Sequence, residues 1–571
     1  MKNRRGKHVA LSTTQSLIIL PLFLFCTLLV LTRLTDHMTP AYLGTALMIY
    51  MIGYCASIAC RTRVTTVVRM YFNNQFFLNC RDYLNASLYK SLALFALFSL
   101  LLILFGASLS TLLTGTTKGR LVFYMLVLLL MLTAAESVIS GFIAGMGKKR
   151  TQVTYDMIQA VTATALMVVL SLFGYRYGTK VDALLYTADC AGLYAAFAGI
   201  AGIAIATFIK LLFLFLTKRR ILKKLSPLHE TGKPKYLGEA SPFFKAIGSE
   251  LLISVTLPVS ILFGTTVYIR TNLTSSLLDL GIFYGRYLSY VMIFGLICTL
   301  PFLRMSYRLT QPFVDDEPSL QVQQYGELFI ILLRKQTLFA IPVGTFLMAL
   351  APCLDSGIFL LKNETADLLM TYGGFVSTLM ALALIFSILL IRTKRMMPLL
   401  ICAFAATLGS IVISLLTILI LTAGISGVVV ALLAYGFIFC VLSIFMLKAV
   451  FGMRRVGVFR MISKTFIMAA LSALAVFLLS SAVKYLIGEI PACVIGLFSG
   501  ICIYLILLAV FRSIEADELR AIPGGSLLEK IAMRAQKQIH KDASVRGNAF
   551  RGGEPKDYTE QGVAPRSGED S

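Results

Sequence analysis

Gly281-Ile282-Phe283-Tyr284-Gly285-Arg286-Tyr287-Leu288-Ser289-Tyr290 opens an apolar segment that runs to residue 304. About twenty such residues let an α-helix cross a hydrocarbon core roughly 30 Å thick. The segment reads as a membrane span, and runs like it recur along the chain as far as residue 511. Arg286 is its costly residue: a cation near the centre of a span is disfavoured by about 3 kcal/mol on insertion scales, so it needs a partner, water or a task.

Composition points the same way. The chain is 58% hydrophobic and only 14% charged, with a mean hydropathy of +0.83, whereas a soluble protein is about a quarter charged. The spans centre near 13–35, 41–68, 87–113, 120–144, 154–174, 193–217, 246–269, 281–304, 329–351, 368–391, 397–421, 425–448, 463–484 and 490–511. This is an all-α integral membrane protein with about fourteen transmembrane helices. The basic stretch Met1 to His8 precedes an apolar run too long for a signal-peptide core, which makes that run the first span.

The net charge of +24 comes from 52 Lys and Arg against 28 Asp and Glu. In a membrane chain this excess reads as loops held against anionic phospholipid, or as affinity for a polyanionic substrate, and nucleic acid is not expected as a partner. Lys148-Lys149-Arg150, Lys218-Arg219-Arg220, Arg392 to Arg395 and Met453-Arg454-Arg455 all fall on the side of the N-terminus. By the positive-inside rule both termini are expected in the cytoplasm. Eleven cysteines lie mostly inside apolar runs and form no Cys-x-x-Cys, and there are four histidines, so no metal site is expected. No nucleophile–base pair, phosphate-cradling loop or ATP motif is present, so no enzyme activity and no cofactor are expected.

The Pro- and Gly-containing stretch 218–245 separates an N-terminal lobe, 1–217, from a C-terminal lobe with additional helices, 246–511; 512–571 is a polar, partly disordered cytoplasmic tail. Each part repeats a pattern. Lys148-Lys149-Arg150 leads into a span and Gly199-Ile200-Ala201-Gly202 opens the next; Thr393-Lys394-Arg395 leads into another and Gly424-Ile425-Ser426-Gly427 opens its successor. Parallel repeats of this kind build two pseudo-symmetric lobes. The glycine spacing reads first as close helix packing.

Several stretches resemble the multidrug/oligosaccharidyl-lipid/polysaccharide (MOP) exporter superfamily, and its polysaccharide-biosynthesis, MurJ–SpoVB-like flippase branch in particular. They are Leu257-Pro258, Phe283-Tyr284-Gly285 through Thr299-Leu300-Pro301 with Gln311-Pro312, Ile341-Pro342 through Ala351-Pro352, Ala423 to Gly427, and Glu515 to Pro523. The chain departs from that branch at Ala59 to Val64, Tyr268-Ile269-Arg270 and Ala163. The resemblance implies a MATE/MurJ-like fold in a bacterial plasma membrane. It also implies a flippase moving an undecaprenyl-pyrophosphate-linked saccharide, lipid II-like or capsular or teichoic-type, to the outer leaflet by alternating access. Cavity arginines of the first, second and eighth spans are associated with function in that branch. A cation-coupled MATE-type antiporter and a non-transporting scaffold among envelope-synthesis proteins are the alternatives.

Arginine suits pyrophosphate because its planar guanidinium stays charged and binds two oxygens at once. Arg286, with Tyr290 at i+4, faces a cavity or reaches the outer headgroups, and second-span arginines could partner it. Arg61, Arg63 and Arg69 lie toward the cytoplasmic part of the second span, with Arg61 and Arg69 near one face and Arg63 pointing away. Arg33 closes the first span, as a substrate cation or a lipid anchor. Thr133, Glu136, Ser137 and Ser140 make a polar stripe on the fourth span, placing Glu136 as an ion-pair partner, a coupling site or part of a hydrogen-bonded seam. Lys210 reads as a lysine snorkelling toward the membrane surface.

Overall fold

A computed structural model describes residues 2–186, 190–225, 243–272, 276–303, 305–306, 309, 322–359, 363–393, 395–450 and 458–511. Among them every regular element is helical. The first six helices are α1 (Lys2–Leu34), α2 (Met38–Asn73), α3 (Phe77–Thr114), α4 (Arg120–Gly145), α5 (Lys149–Leu185) and α6 (Cys190–Leu225). α7 (Phe243–Thr271) follows, then α8 (Ser276–Ile282), which runs through a π-helical turn (Phe283–Leu288) into α9 (Ser289–Thr299). The remainder are α10 (Val322–Phe359), α11 (Glu364–Gly373), α12 (Val376–Arg392), α13 (Met396–Leu415), α14 (Ser426–Val450), α15 (Val458–Ile487) and α16 (Glu489–Val510).

Among the described residues twelve helical segments are long and apolar enough to cross a membrane, and α11 with α12, bent by 45°, makes a thirteenth. The apolar part of α1, Ile18–Leu34, is a shorter segment. The count agrees roughly with the fourteen spans read from the sequence. The helices outrun those spans, α5 at both ends, because a helix keeps its backbone bonds into the polar interface whereas hydropathy marks only the lipid-matched part. The expected linker 218–245 is shortened by α6, which reaches Leu225; residues 226–242 and the tail from 512 lie outside the described residues.

Polar side chains set the junctions. Asp36 accepts from the backbone and hydroxyl of Thr39 at 3.0 and 2.9 Å to open α2. Asp182 of α5 accepts from the Cys190 and Ala191 amides at 2.9 and 2.8 Å to open α6. Both carboxylates meet the unbonded amides of a helix start.

The two halves repeat one neighbour pattern. α1 packs on α5, α2 on α4, α3 on α4, α4 on α6 and α5 on α6. Correspondingly, α7 packs on α13, α9 on α12, α10 on α12, α12 on α14 and α13 on α14. The duplicated glycine motifs thus fall on equivalent helices, α6 and the start of α14. Gly202 also behaves as the packing reading expects: a Cβ there would meet the Leu166 backbone at 2.8 Å. The lobes meet where α1, α2 and α3 pack against α7, the α8–α9 segment and its π turn. Tyr42 and Tyr50 from one lobe and Tyr284 and Tyr287 from the other share one apolar core.

These packings lie within residues 1–498, one compact unit; a second begins at Ser499, and its described part is the last turns of α16. Gly145, at the end of α4, and Gly115, just past the end of α3, mark the bundle's two ends. α2, α4 and α6 finish at the Gly145 end, whereas α1 and α3 finish, and α2 and α8 begin, at the Gly115 end. Lys148 to Arg150, Lys218 to Arg220 and Arg392 all fall at the Gly145 end.

Candidate functional site

The N-terminal lobe buries four charges in one cluster. Arg61 of α2 donates through both terminal nitrogens to Asp156 of α5, at 2.5 and 3.4 Å. Lys210 of α6 lies 2.6 Å from the second Asp156 oxygen and 2.6 Å from Glu136 of α4. Lys210 also donates to the Gln159 carboxamide oxygen at 2.7 Å, and the Gln159 amide donates to Thr207 at 3.0 Å. Two cations meet two carboxylates, and none of the four residues is more than 7% exposed. Isolated charges at this depth would each be strongly disfavoured; paired and hydrogen-bonded, they form a neutral unit tying four helices together.

The backbone places them. A Cβ at Gly141 would stand 2.7 Å from the Arg61 carbonyl oxygen, so α4 reaches α2 only because position 141 is glycine. Along α5, Gln152, Asp156 and Gln159 follow i, i+4 and i+7, one buried stripe. Gln152 sits beside the Arg61 guanidinium, toward which its carboxamide oxygen must point. On α4, Thr133 and Ser137 donate to carbonyls of their own helix at 2.8 Å. Glu136 crosses to α6.

The second site lies in the other lobe at the Gly115 end. Arg286 on the π-helical turn meets Asp355 of α10 at 2.5 Å, with the two residues 2% and 0% exposed. Tyr290 is buried within electrostatic reach of both. π turns insert a residue into a helix and often accompany functional positions. The headgroup alternative for Arg286 therefore fails, because the guanidinium is interior. His37, in the α1–α2 connection, also feels the Arg286 charge. Burial first and that cation second push its imidazole below the ordinary histidine range, while Asp36 opposes them.

The structure separates several residues that the sequence grouped. Gly44 of α2 packs on Tyr284, beside the Arg286 turn. Arg61 follows seventeen residues later, about 25 Å along the helix, so it cannot partner Arg286. Arg63 is half-buried toward α3 and α7, away from the cluster. Arg69 is half-buried at the Gly145 end within electrostatic reach of Lys149, and Arg33 is exposed at the last turn of α1. Lys210 does not snorkel: at 2% exposure it is the centre of the cluster. Asp156 and Asp355 were missed, although the stripe on α5 has the spacing that singled out Glu136.

No protein-family model and no curated protein sequence matches this chain. Solved structures match its fold. A lipid II flippase MurJ, in an inward closed conformation, aligns with TM-score 0.59 and 14% identity, over 88% of this chain and 98% of its own. An inward-facing multidrug resistance MATE family transporter of the MOP superfamily aligns with TM-score 0.58 and 12% identity, over 77% and 96%. A MOP superfamily transporter from Pyrococcus furiosus, described as having a binding pocket of reversed polarity, aligns with TM-score 0.53 and 12% identity, over 78% and 99%. The chain is thus a multi-pass membrane protein with the fold of the MOP superfamily transporters. Within that fold it is MurJ-like, and of these three alignments the flippase's spans most of it.

Proposed function

We propose that this chain is a flippase that carries a lipid-linked saccharide diphosphate across a bacterial plasma membrane by alternating access. Both termini and the Gly145 end face the cytoplasm in this reading, and the lobes are 1–217 and 246–511, joined by 218–245. The observation that carries it is that each lobe buries an arginine on a carboxylate, Arg61 on Asp156 and Arg286 on Asp355, at opposite ends of the bundle. A phosphate offers a guanidinium the same planar acceptor geometry as a carboxylate, so a substrate anion can replace the acid when that end opens. Cations at both ends suit a cargo that is picked up at one face and released at the other. Arg63, Arg69 and Arg33 then serve approach to the membrane faces rather than the buried sites.

The test is flipping of a fluorescent undecaprenyl-diphosphate-linked saccharide in proteoliposomes. The charge-balanced variants Arg61→Gln/Asp156→Asn and Arg286→Gln/Asp355→Asn should insert normally and stop flipping. Normal flipping by both would sink the assignment.

One observation favours a second reading, a cation-coupled drug antiporter. Glu136 and Asp156 share the Lys210 ammonium, an arrangement able to exchange a proton or cation. Ion-driven dye efflux that is indifferent to lipid-linked saccharide and lost in Glu136→Gln would establish that reading instead.

A further inference from the structure

Between α2, α3 and α7, on the seam of the two lobes, lies a cavity of about 270 Å³ whose lining side chains are all apolar. Ile52 and Ala56 line it from α2, Leu94 and Phe98 from α3, and Leu251 and Val255 from α7. A void this size within the hydrocarbon layer holds no polar group to retain water, so an apolar chain is the occupant it fits.

What stands over the cavity on the Gly145 side narrows the choice. At 100° per residue Arg63 is about 20° from both Ile52 and Ala56, and some two turns beyond Ala56. By the same rotation Tyr83 shares the α3 face of Leu94 and Leu101, and Glu250 precedes Leu251 on α7. Tyr83 comes within hydrogen-bonding reach of Arg63, and Glu250 feels the Arg63 charge. Among the described residues the buried Nε of Arg63 makes no hydrogen bond. An apolar slot thus ends at a half-buried guanidinium, an arrangement that a single acyl chain below an anionic headgroup fits.

We propose that an anionic bilayer phospholipid docks at this seam, one acyl chain in the α2–α3–α7 cavity and its phosphate on Arg63. The site is separate from both buried ion-pair sites and does not rest on the transport reading. Glu250 weakens it, since its charge competes with the phosphate for Arg63.

The chain contains no tryptophan, so Phe98→Trp supplies a unique fluorescent reporter inside the cavity, and Phe437→Trp, on an exposed face of α14, reports bulk lipid. Each is reconstituted with brominated phosphatidylglycerol or brominated phosphatidylcholine, and quenching is compared. Relative to the Phe437→Trp control, Phe98→Trp should favour the anionic lipid by about fivefold, the factor one basic residue near an anionic headgroup contributes. Adding Arg63→Gln should abolish the preference, and adding Glu250→Gln should raise it. Equal quenching by the two lipids, or none beyond the control, overturns the proposal. Loss of the preference in both added variants also overturns it, since Arg63 and Glu250 would then act as a pair holding the lobes.

Discussion

Arg286, on the π-helical turn, and Asp355, one turn before the end of α10, form a buried ion pair at 2.5 Å. Removing either partner alone leaves a charge in an apolar interior. Arg286→Met and Asp355→Leu should therefore each cost about 3–5 kcal/mol of stability. The double variant should recover most of that loss, because well-packed apolar residues replace such pairs at little cost. Unfolding of the purified protein in detergent measures all three. Losses below about 1 kcal/mol in the single variants would mean that the pair is solvated like a surface bridge.

Lys210 holds two carboxylates, which makes the N-terminal cluster asymmetric. Lys210→Met should destabilise more than Glu136→Gln, since the first leaves Glu136 and Asp156 facing each other and the second leaves Arg61 and Lys210 on Asp156. Lys210→Met/Glu136→Gln returns the site to one neutral Arg61–Asp156 pair. A double-mutant cycle over Lys210 and Glu136 should then report a coupling of about 0.5–3 kcal/mol. Additive effects would show that the two residues do not act as a unit.

These pairs mark how far the sequence could be read. Hydropathy found the spans, and the parallel glycine motifs found the duplication, because both depend on local composition. Arg61, Glu136 and Arg286 drew notice as charges inside spans. Asp156 and Asp355 did not, because pairing depends on which helix faces become neighbours. Asp156 was the nearest miss: it lies only two residues inside the 154–174 span, next to the polar first turns of α5, where a carboxylate looks like part of a solvated helix end. Asp355 hid in the same way near the end of α10. Lys210 was misread because a lysine's long chain makes snorkelling the simplest solution until a carboxylate is known to be in reach.

Close packing at the Gly115 end carries a different prediction. A Cβ at Gly281 would lie 1.8 Å from the His37 carbonyl oxygen, a contact between α8 and the α1–α2 connection that neither backbone can relieve without moving apart. That contact closes the Gly115 end, and Gly281→Ala should disfavour it and separate the lobes there. Spin labels at Thr35 and Leu278, in a background with the native cysteines replaced, should show a longer or broader distance distribution than the parent. Gly248→Ala, whose Cβ meets nothing within 4 Å, should leave it unchanged. An unaltered distribution in Gly281→Ala would mean that the contact does not control closure.

His37 gives the same end a dependence on pH. Its imidazole is pushed below the ordinary histidine value by burial and by Arg286, with Asp36 opposing, so the folded, closed state favours the neutral form. A histidine lowered in this way contributes its full stabilisation above the unfolded value of about 6.5, and loses it as pH falls through the folded value. The protonated ring would then face Arg286, whose own charge is matched by Asp355. Closure at the Gly115 end should hold at pH 7.5 and weaken on acidification below about pH 6.5. His37→Gln, neutral at every pH, should flatten that dependence while keeping the connection's packing. The Thr35–Leu278 label distance, followed from pH 8 to pH 5 in both proteins, reads the difference, and parallel profiles would assign the response to another group.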